Sequence, residues 1–427
     1  MGNSPLNMGR KVSLGGQPGL RVLLSVAIAM CVMLLGLSRQ FYVEALVDAF
    51  FGLALAGLVI VHLRIRPKWQ DALAVLAGTS VLSFLDFRIL QYQPRVIAVF
   101  SFLGLSSFAI LVLRTVWAED RRILLYAWIP AGLLVASDYF ASDLLAWTGR
   151  AHPKTLDLYL LFFDGSLGTQ IAFTVGQYYA RYSWLHNLSL IAYVGLAIPI
   201  TMVYAGRLVR FGSKAVSSIL AFLITGPIGI LFYNLFPACG PRHLVRSEFP
   251  FQPFPYADLH RLFLEGVPIA GPRNAIPSLH MAWTLLAWWY SKGLSRVERL
   301  VAFFFLAFTV TATMGTGEHW FVDLIVAFPF ALMIQAIAAY ELPATNPERL
   351  SAALIGLSGT LGWFALLRYG TRLTGSSPWV PWVLSAGTVL TVYWRQARLA
   401  RATASTDASP QGATTAPSAM AVVDVGG

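Results

Sequence analysis

An all-α, polytopic integral membrane protein is the fold class this chain predicts, on three observations. Of its 427 residues, 57% are hydrophobic and 12% charged, and mean hydropathy is +0.64, whereas a soluble surface needs roughly a quarter charged residues. The apolar residues recur in runs close to the length that crosses a bilayer. The net charge of +11 is scattered in short Lys/Arg groups between those runs, a topology pattern and not the gathered basic domain that binds nucleic acid. No nucleic-acid partner is therefore expected. Cys31 and Cys239 sit in or at the ends of apolar runs, which indicates neither a disulfide framework nor a cysteine metal site.

From the N-terminus, Arg10, Lys11 and Arg21 precede an apolar run with no small-residue cleavage site. Residues 1–20 are expected to form a cytoplasmic segment ahead of a first span, not a cleaved signal. A spanning helix needs roughly twenty apolar residues. On that criterion about twelve spans are expected, over 22–37, 41–63, 72–90, 96–113, 123–147, 184–205, 216–239, 277–290, 300–314, 320–340, 350–367 and 380–394. The division that follows is N-terminal transmembrane helices over 21–147, an interfacial segment over 148–183, a membrane domain that holds the chemistry over 184–342, and C-terminal transmembrane helices over 343–396. Residues 397–427, rich in Ala, Thr, Ser, Pro and Gly, have little to bury and are expected as a disordered tail.

Arg64/Arg66/Lys68, Arg114/Arg121/Arg122, Arg207/Arg210/Lys214, Lys292/Arg296/Arg299 and Arg395/Arg398/Arg401 fall on one side together with the N-terminus. The positive-inside rule makes that side, and both termini, cytoplasmic. The long connections 148–183 and 240–276 and the turn around Gly317 then face away from the cytoplasm. Tyr159, Phe162, Phe163, Phe173, Tyr178, Tyr179 and Tyr182 crowd the first of these. Amphipathic rings favour a headgroup interface, so the segment reads either as a lid broken at Asp164-Gly165-Ser166 or as packing over the helix ends.

Two stretches at the mouths of apolar runs concentrate the polar groups: Arg273-Asn274-Ala275-Ile276-Pro277-Ser278-Leu279-His280 and Gly315-Thr316-Gly317-Glu318-His319-Trp320-Phe321-Val322-Asp323. Polar clusters in such settings are costly unless used. Pro277 suits the first position of a helix. The amides of Ser278, Leu279 and His280 would then stand at its positive end, with the Ser278 hydroxyl beside them, as an anion site. Gly315 and Gly317 let backbone approach a ligand. His319 and Asp323, four apart on one helix face, can pair so that the carboxylate fixes the tautomer and stabilises charge developing on the ring. Either histidine alone reads as a core residue bridging helices; in this company both read as site residues. Arg242 and Arg273 are the expected phosphate ligands because a guanidinium holds phosphate with a fork of donors, the alternative for each being a headgroup-facing arginine. His243 is a further substrate contact to consider, while His62, His186 and His260 read as structural.

Pro277-Ser278-Leu279-His280 and His319-x-x-x-Asp323 resemble the second and third motifs of the type 2 phosphatidic acid phosphatase (PAP2) superfamily. The form Arg-x-x-x-Pro-Ser-Leu-His followed by Gly-Thr-Gly-Glu-His is similar to its inositol phosphotransferase branch, the inositol phosphorylceramide synthases and their bacterial relatives. The resemblance covers about 236–330 and implies a PAP2-like helical core in the C-terminal half. It implies that His319 is the nucleophile, that Asp323 orients it, and that His280 protonates the leaving alkoxide and then serves as base. It implies no metal and no cofactor, with arginines and helix-end amides neutralising the phosphate. The chain departs from the phosphatase pattern in carrying Thr313 where an Arg stands six residues before the second His, and Ala312 where a Ser precedes that Arg. The usual first motif, a Lys followed by Arg-Pro, is absent in that form.

The function expected is a membrane lipid phosphotransferase moving a phosphorylated headgroup, phosphoinositol in the branch it resembles, from a phospholipid donor to a lipid alcohol through a phosphohistidine. Hydrolysis of a lipid phosphate or polyprenyl diphosphate differs only in using water as acceptor. A transporter is the third reading. It would use ionisable groups near the bilayer midplane, with Asp86/Arg88 and Asp138/Asp143 as candidates, but His280, His319 and Asp323 lie together near one face.

Overall fold

The computed structural model describes residues 18–36, 49–90, 96–118, 121–259 and 261–408. Most of the expected N-terminal segment and tail lie outside these residues, as does His260. Of the described residues, 80% are helical. Its first part runs through α1 (Pro18–Gly36), α2 (Ala49–Arg64), α3 (Trp69–Leu85), α4 (Val96–Trp117) and α5 (Arg122–Ala151). After β1 (Lys154–Thr155) come α6 (Asp157–Ser166), α7 (Ile171–Arg181), α8 (Ser183–Val194), α9 (Ala197–Phe211) and α10 (Val216–Leu235). A connection containing α11 (Pro241–Val245), α12 (Tyr256–Leu259) and β2 (Val267–Pro268) leads to α13 (Leu279–Tyr290), α14 (Arg296–Gly315) and α15 (Phe321–Ala338). The chain closes with α16 (Pro347–Tyr369), α17 (Thr371–Thr374) and α18 (Trp379–Ala408). Lys154 and Thr155 pair antiparallel with Pro268 and Val267, tying the connection after α5 to the one before α13.

Several long apolar helices make this a multi-pass arrangement, but the count differs from expectation. Among the described residues five elements are long and apolar enough to cross a membrane: Ile97–Trp117, Ala197–Leu235, Arg296–Gly315, Phe321–Ala338 and Pro347–Tyr369. A sixth is counted if α6 and α7, which meet at 87°, form one broken span. The expected twelve came from hydropathy, which does not separate a spanning helix from a short buried one. The run expected over 277–290 is a helix of 12 residues, which at roughly 1.5 Å per residue reaches little more than half the hydrocarbon thickness. Likewise Arg21–Leu34, Phe50–Arg64 and Arg122–Ser137 are apolar but short.

The centre of the molecule is α15, whose spanning window is 83% buried against neighbouring helices. Between helices in lipid there is no hydrophobic gain, so small residues that allow close approach carry the packing. Gly356 of α16 does this: a Cβ there would lie 2.5 Å from the Met333 nitrogen and 2.6 Å from the Pro329 carbonyl of α15. The helices start where capping chemistry dictates. Ser295 and Glu298 form a capping box on α14, and Asn346 caps α16 with Pro347 at its first position.

The stretch 155–182 is not a surface lid. Asp157, Tyr159, Leu160, Leu161, Phe163 and Asp164 of α6 are buried, and α6 packs against α15 and α16. Only the far end of α7 presents rings outward, with Tyr178 and Tyr182 exposed and stacked 6.1 Å apart. The beginning of the expected disordered tail, 397–408, is the end of α18, where Leu399 is buried and Arg398 pairs with Glu348 at 2.6 Å.

Candidate active site

Three loop segments converge at one end of the bundle: 236–240 after α10, 273–278 before α13, and 315–320 between α14 and α15. Backbone hydrogen bonds knit them together. The Ala275 amide donates to the Ala238 carbonyl at 3.1 Å, the Arg242 amide to Gly317 at 3.0 Å, and the Ser278 amide to Asp323 at 3.2 Å. Gly240 makes the approach possible. Its φ is +97°, and a Cβ would meet the Glu318 carbonyl oxygen at 2.2 Å, a place only glycine can occupy.

His319 stands in the middle, buried. Its Nδ1 lies 2.7 Å from the Ala275 carbonyl oxygen and 3.5 Å from Asp323 Oδ2. A carbonyl only accepts, so Nδ1 carries the proton and Nε2 keeps its lone pair. Nε2 faces the Ser278 hydroxyl at 3.2 Å, which donates to it. The tautomer is thus set first by Ala275 and second by Asp323, where the sequence reading assigned it to Asp323 alone. Asp323 in turn accepts the Trp320 amide at 2.7 Å through Oδ2, while its Oδ1 is buried without a partner.

Ser278 is the N-cap of α13, accepting the Met281 amide at 3.4 Å, so the helix begins two residues after Pro277 and not at it. This changes the expected anion site. The Ser278 amide is taken by Asp323, and the Leu279 amide faces the Tyr233 hydroxyl. The protein's own acceptors fill most of that helix end.

His280 projects from the first turn of α13 into an aromatic sleeve. Its ring stacks on Tyr193 with centroids 4.1 Å apart and planes at 7°, and it meets Phe50 edge-on at 6.0 Å and Trp283 at 6.3 Å. Burial, and after it the charge of the neighbouring His319, hold its ring well below the ordinary imidazole range, at about 3, so it rests neutral.

Arg242 and Arg273 part company. Arg242 is half-exposed and pairs through Nη1 with Glu318 Oε1 at 2.7 Å, at the rim beside Gly317. Gly317 has φ of +75° and packs against Arg242 and Phe249. Arg273 is buried with 2% exposure. Its Nε donates to His152 O at 2.7 Å, Nη1 to Gly271 O at 2.6 Å and Cys239 Sγ at 3.0 Å, and Nη2 to Ile269 O at 2.9 Å. The guanidinium expected on phosphate is spent clamping a loop. Thr313, at the position of the phosphatase Arg, is buried, its hydroxyl donating back to Thr309 O at 2.8 Å while its carbonyl accepts the Glu318 and His319 amides.

Glu318 lies between Arg242 and His243, whose Nε2 is 3.7 Å from Oε2. Burial by itself would raise its carboxyl. The His243 contact and the charges of Arg242, His243 and His319 outweigh that and hold it below the ordinary carboxylate range.

Four site residues escaped sequence reasoning. Asp157, fully buried, accepts the Gly240 amide at 2.8 Å, the Cys239 amide at 3.0 Å and the Trp320 indole at 3.0 Å. Asp164 accepts the Phe321 amide at 3.2 Å at the start of α15. Tyr193 and Phe50 supply the sleeve around His280. The Asp164-Gly165-Ser166 break was visible in the sequence, but nothing in it signals a distant helix start. Among the described residues no group of three or more His, Cys, Asp or Glu gathers so as to hold a metal ion.

Residues 158–337 match the family profile of the PAP2 superfamily, which supports placing the chain in that superfamily. The match runs from α6 to the end of α15 and contains His280, His319 and Asp323. It begins well before the region carrying the motif resemblance, and it takes in Asp164 and Tyr193. Neither the curated proteins nor the solved structures gave a significant match.

Proposed function

We propose that this protein is a membrane lipid phosphotransferase that moves a phosphorylated headgroup from a phospholipid donor to a lipid alcohol through a phosphohistidine on His319. The superfamily match and the apolar helical fold support a membrane phosphatase or phosphotransferase. The observation that carries the histidine mechanism is the pair of contacts on one ring: Nδ1 on the Ala275 carbonyl at 2.7 Å and Nε2 toward Ser278 at 3.2 Å.

In the first step the Nε2 lone pair attacks phosphorus and the bond to the leaving alkoxide breaks. His280, neutral at rest, takes up a proton when the negative charge of the bound phosphate stands beside it and gives that proton to the leaving oxygen. The positive charge developing on the His319 ring is met by the Ala275 carbonyl and the Asp323 carboxylate, both already aligned. In the second step the acceptor hydroxyl passes its proton to His280 and attacks phosphorus, and Nε2 leaves. Arg242 holds the non-bridging oxygens from the rim. Ser278 steadies the nitrogen before attack and can donate to a phosphate oxygen afterwards. Phosphoinositol is the headgroup we assign by resemblance. The aromatic sleeve around His280, largely without water-binding groups, favours a lipid alcohol over water as acceptor.

The site lies at the end of the bundle opposite Lys292, Arg296 and Arg299, which supports a non-cytoplasmic active site. The test is to incubate detergent-solubilised protein with phospholipid labelled at phosphorus and to quench without acceptor. A labelled, acid-labile protein adduct is expected, absent in His319→Ala together with transfer. Full transfer by His319→Ala would overturn the mechanism.

A further inference from the structure

The phosphate-binding end of this site contains an acid that a general phosphatase would not want. Glu318 directly precedes the nucleophile, is 8% exposed, and is bonded at 2.7 Å to Arg242, a half-exposed guanidinium at the rim of the site. Its position is fixed from several directions. Its amide donates to Thr313 O at 3.1 Å, Gly240 is pressed against its carbonyl, and His243 closes its other side. Its charge reaches His319, His280 and Tyr193. The positive field that Arg242 would present to an anion is therefore partly cancelled before any substrate arrives. Arg273, the other arginine near these loops, is turned away onto carbonyls, and Thr313 stands where an arginine would add charge.

We infer that Glu318 is a charge filter: it admits a phosphodiester, which carries one negative charge, and opposes a phosphomonoester, which carries up to two. The inference rests on the phosphotransfer reading above and assigns to Glu318 the preference for its phosphodiester donor over phosphomonoester lipids. Physically, a monoanion can share Arg242 with Glu318, whereas a dianion meets a fixed like charge at close range with too little positive charge to offset it.

The experiment uses full-length protein in micelles with matched-chain phosphatidate and phosphatidylinositol, comparing kcat/KM for consumption of each. Wild type is expected to prefer the diester by at least about tenfold. Glu318→Gln should shrink that ratio several-fold, and Glu318→Asp, which keeps the charge, should preserve it. Should Glu318 serve only to hold Arg242 in place, Glu318→Gln would slow both substrates alike and leave the ratio unchanged, which overturns the filter. A second measurement varies pH. The monoester loses its second charge below about pH 6, so the wild-type ratio should fall between about pH 7.5 and about pH 5. The groups facing Glu318 are Arg242, His243, His319, His280, Tyr193 and Cys239, and the same pH series on Glu318→Gln separates their effect on the ratio from that of Glu318. A ratio constant across that range also overturns the filter. Failure of the transfer reading looks different: neither lipid is consumed, or His319→Ala consumes both at the wild-type rate.

Discussion

Asp323 separates charge from orientation. Because the Ala275 carbonyl already holds His319 Nδ1 at 2.7 Å, Asp323→Asn leaves the tautomer in place and can still accept the Trp320 amide. What it removes is the negative charge that meets the imidazolium. Transfer is expected to fall by about 10²- to 10³-fold, with the thermal midpoint in detergent unchanged within a few degrees. A collapse of the midpoint instead would make Asp323 structural. The two arginines divide the other way. Arg242→Gln should raise KM for the phospholipid by about tenfold or more with little change in midpoint, because half of its side chain is exposed and it binds one acid. Arg273→Gln should lower the midpoint and the yield of folded protein, since it strands carbonyls in a buried loop. At this scale the sequence was informative where chemistry is local: Ser278, His280, His319 and Asp323 stand within two short stretches and do converge. It could not separate Arg242 from Arg273. Both flank the same loops, and only the tertiary positions of the His152, Gly271 and Ile269 carbonyls decide which one is consumed.

Elements before the motifs turn out to hold the site together. The start of α15 exposes amides that no preceding residue can satisfy, since its N-cap is Trp320. Asp323 takes one from within and Asp164 of α6 takes the next from outside. A cap of this kind is worth about 1–2 kcal/mol. Asp164→Ala should therefore lower the unfolding midpoint measurably, and Asp164→Asn, which keeps an acceptor oxygen, should lower it less. Equal loss in both variants would show that the carboxylate's charge matters beyond capping. The 155–182 stretch was hard to read for the same reason. Its rings signalled an interface, and Tyr178 and Tyr182 do face outward, but the function of α6 lies in two buried carboxylates whose partners are far along the chain. The gap between about twelve expected spans and the five or six found among the described residues has a related cause: the 12-residue α13 has the composition of a spanning helix while protein buries most of its side chains, and hydropathy cannot tell protein from lipid.

At the scale of the whole molecule, the N-terminal helices are fastened to the matched region at both ends. Phe50 at the start of α2 touches His280, and Arg64 at its end pairs with Glu298 at the start of α14. The bundle therefore has two distinct ends, one with the site and one with the basic loops, and its orientation can be tested with one pair of labels. Phe263, 79% exposed, sits in the connection that leads into the site; Lys292, exposed, follows α13 at the opposite end. The native cysteines do not interfere if Cys31 is replaced by serine, because Cys239 is buried and burial, with the neighbouring Asp157, pushes its thiol up to about 12, leaving no thiolate at neutral pH to react with a maleimide. In intact cells an impermeant maleimide should label Phe263→Cys and spare Lys292→Cys, and permeabilisation should expose both. The positive-inside rule predicts this outcome, since it assigns the Lys292, Arg296 and Arg299 end to the cytoplasm. The reverse pattern would place the proposed phosphotransfer on the cytoplasmic leaflet, where donor and acceptor lipids would have to be drawn from a different pool.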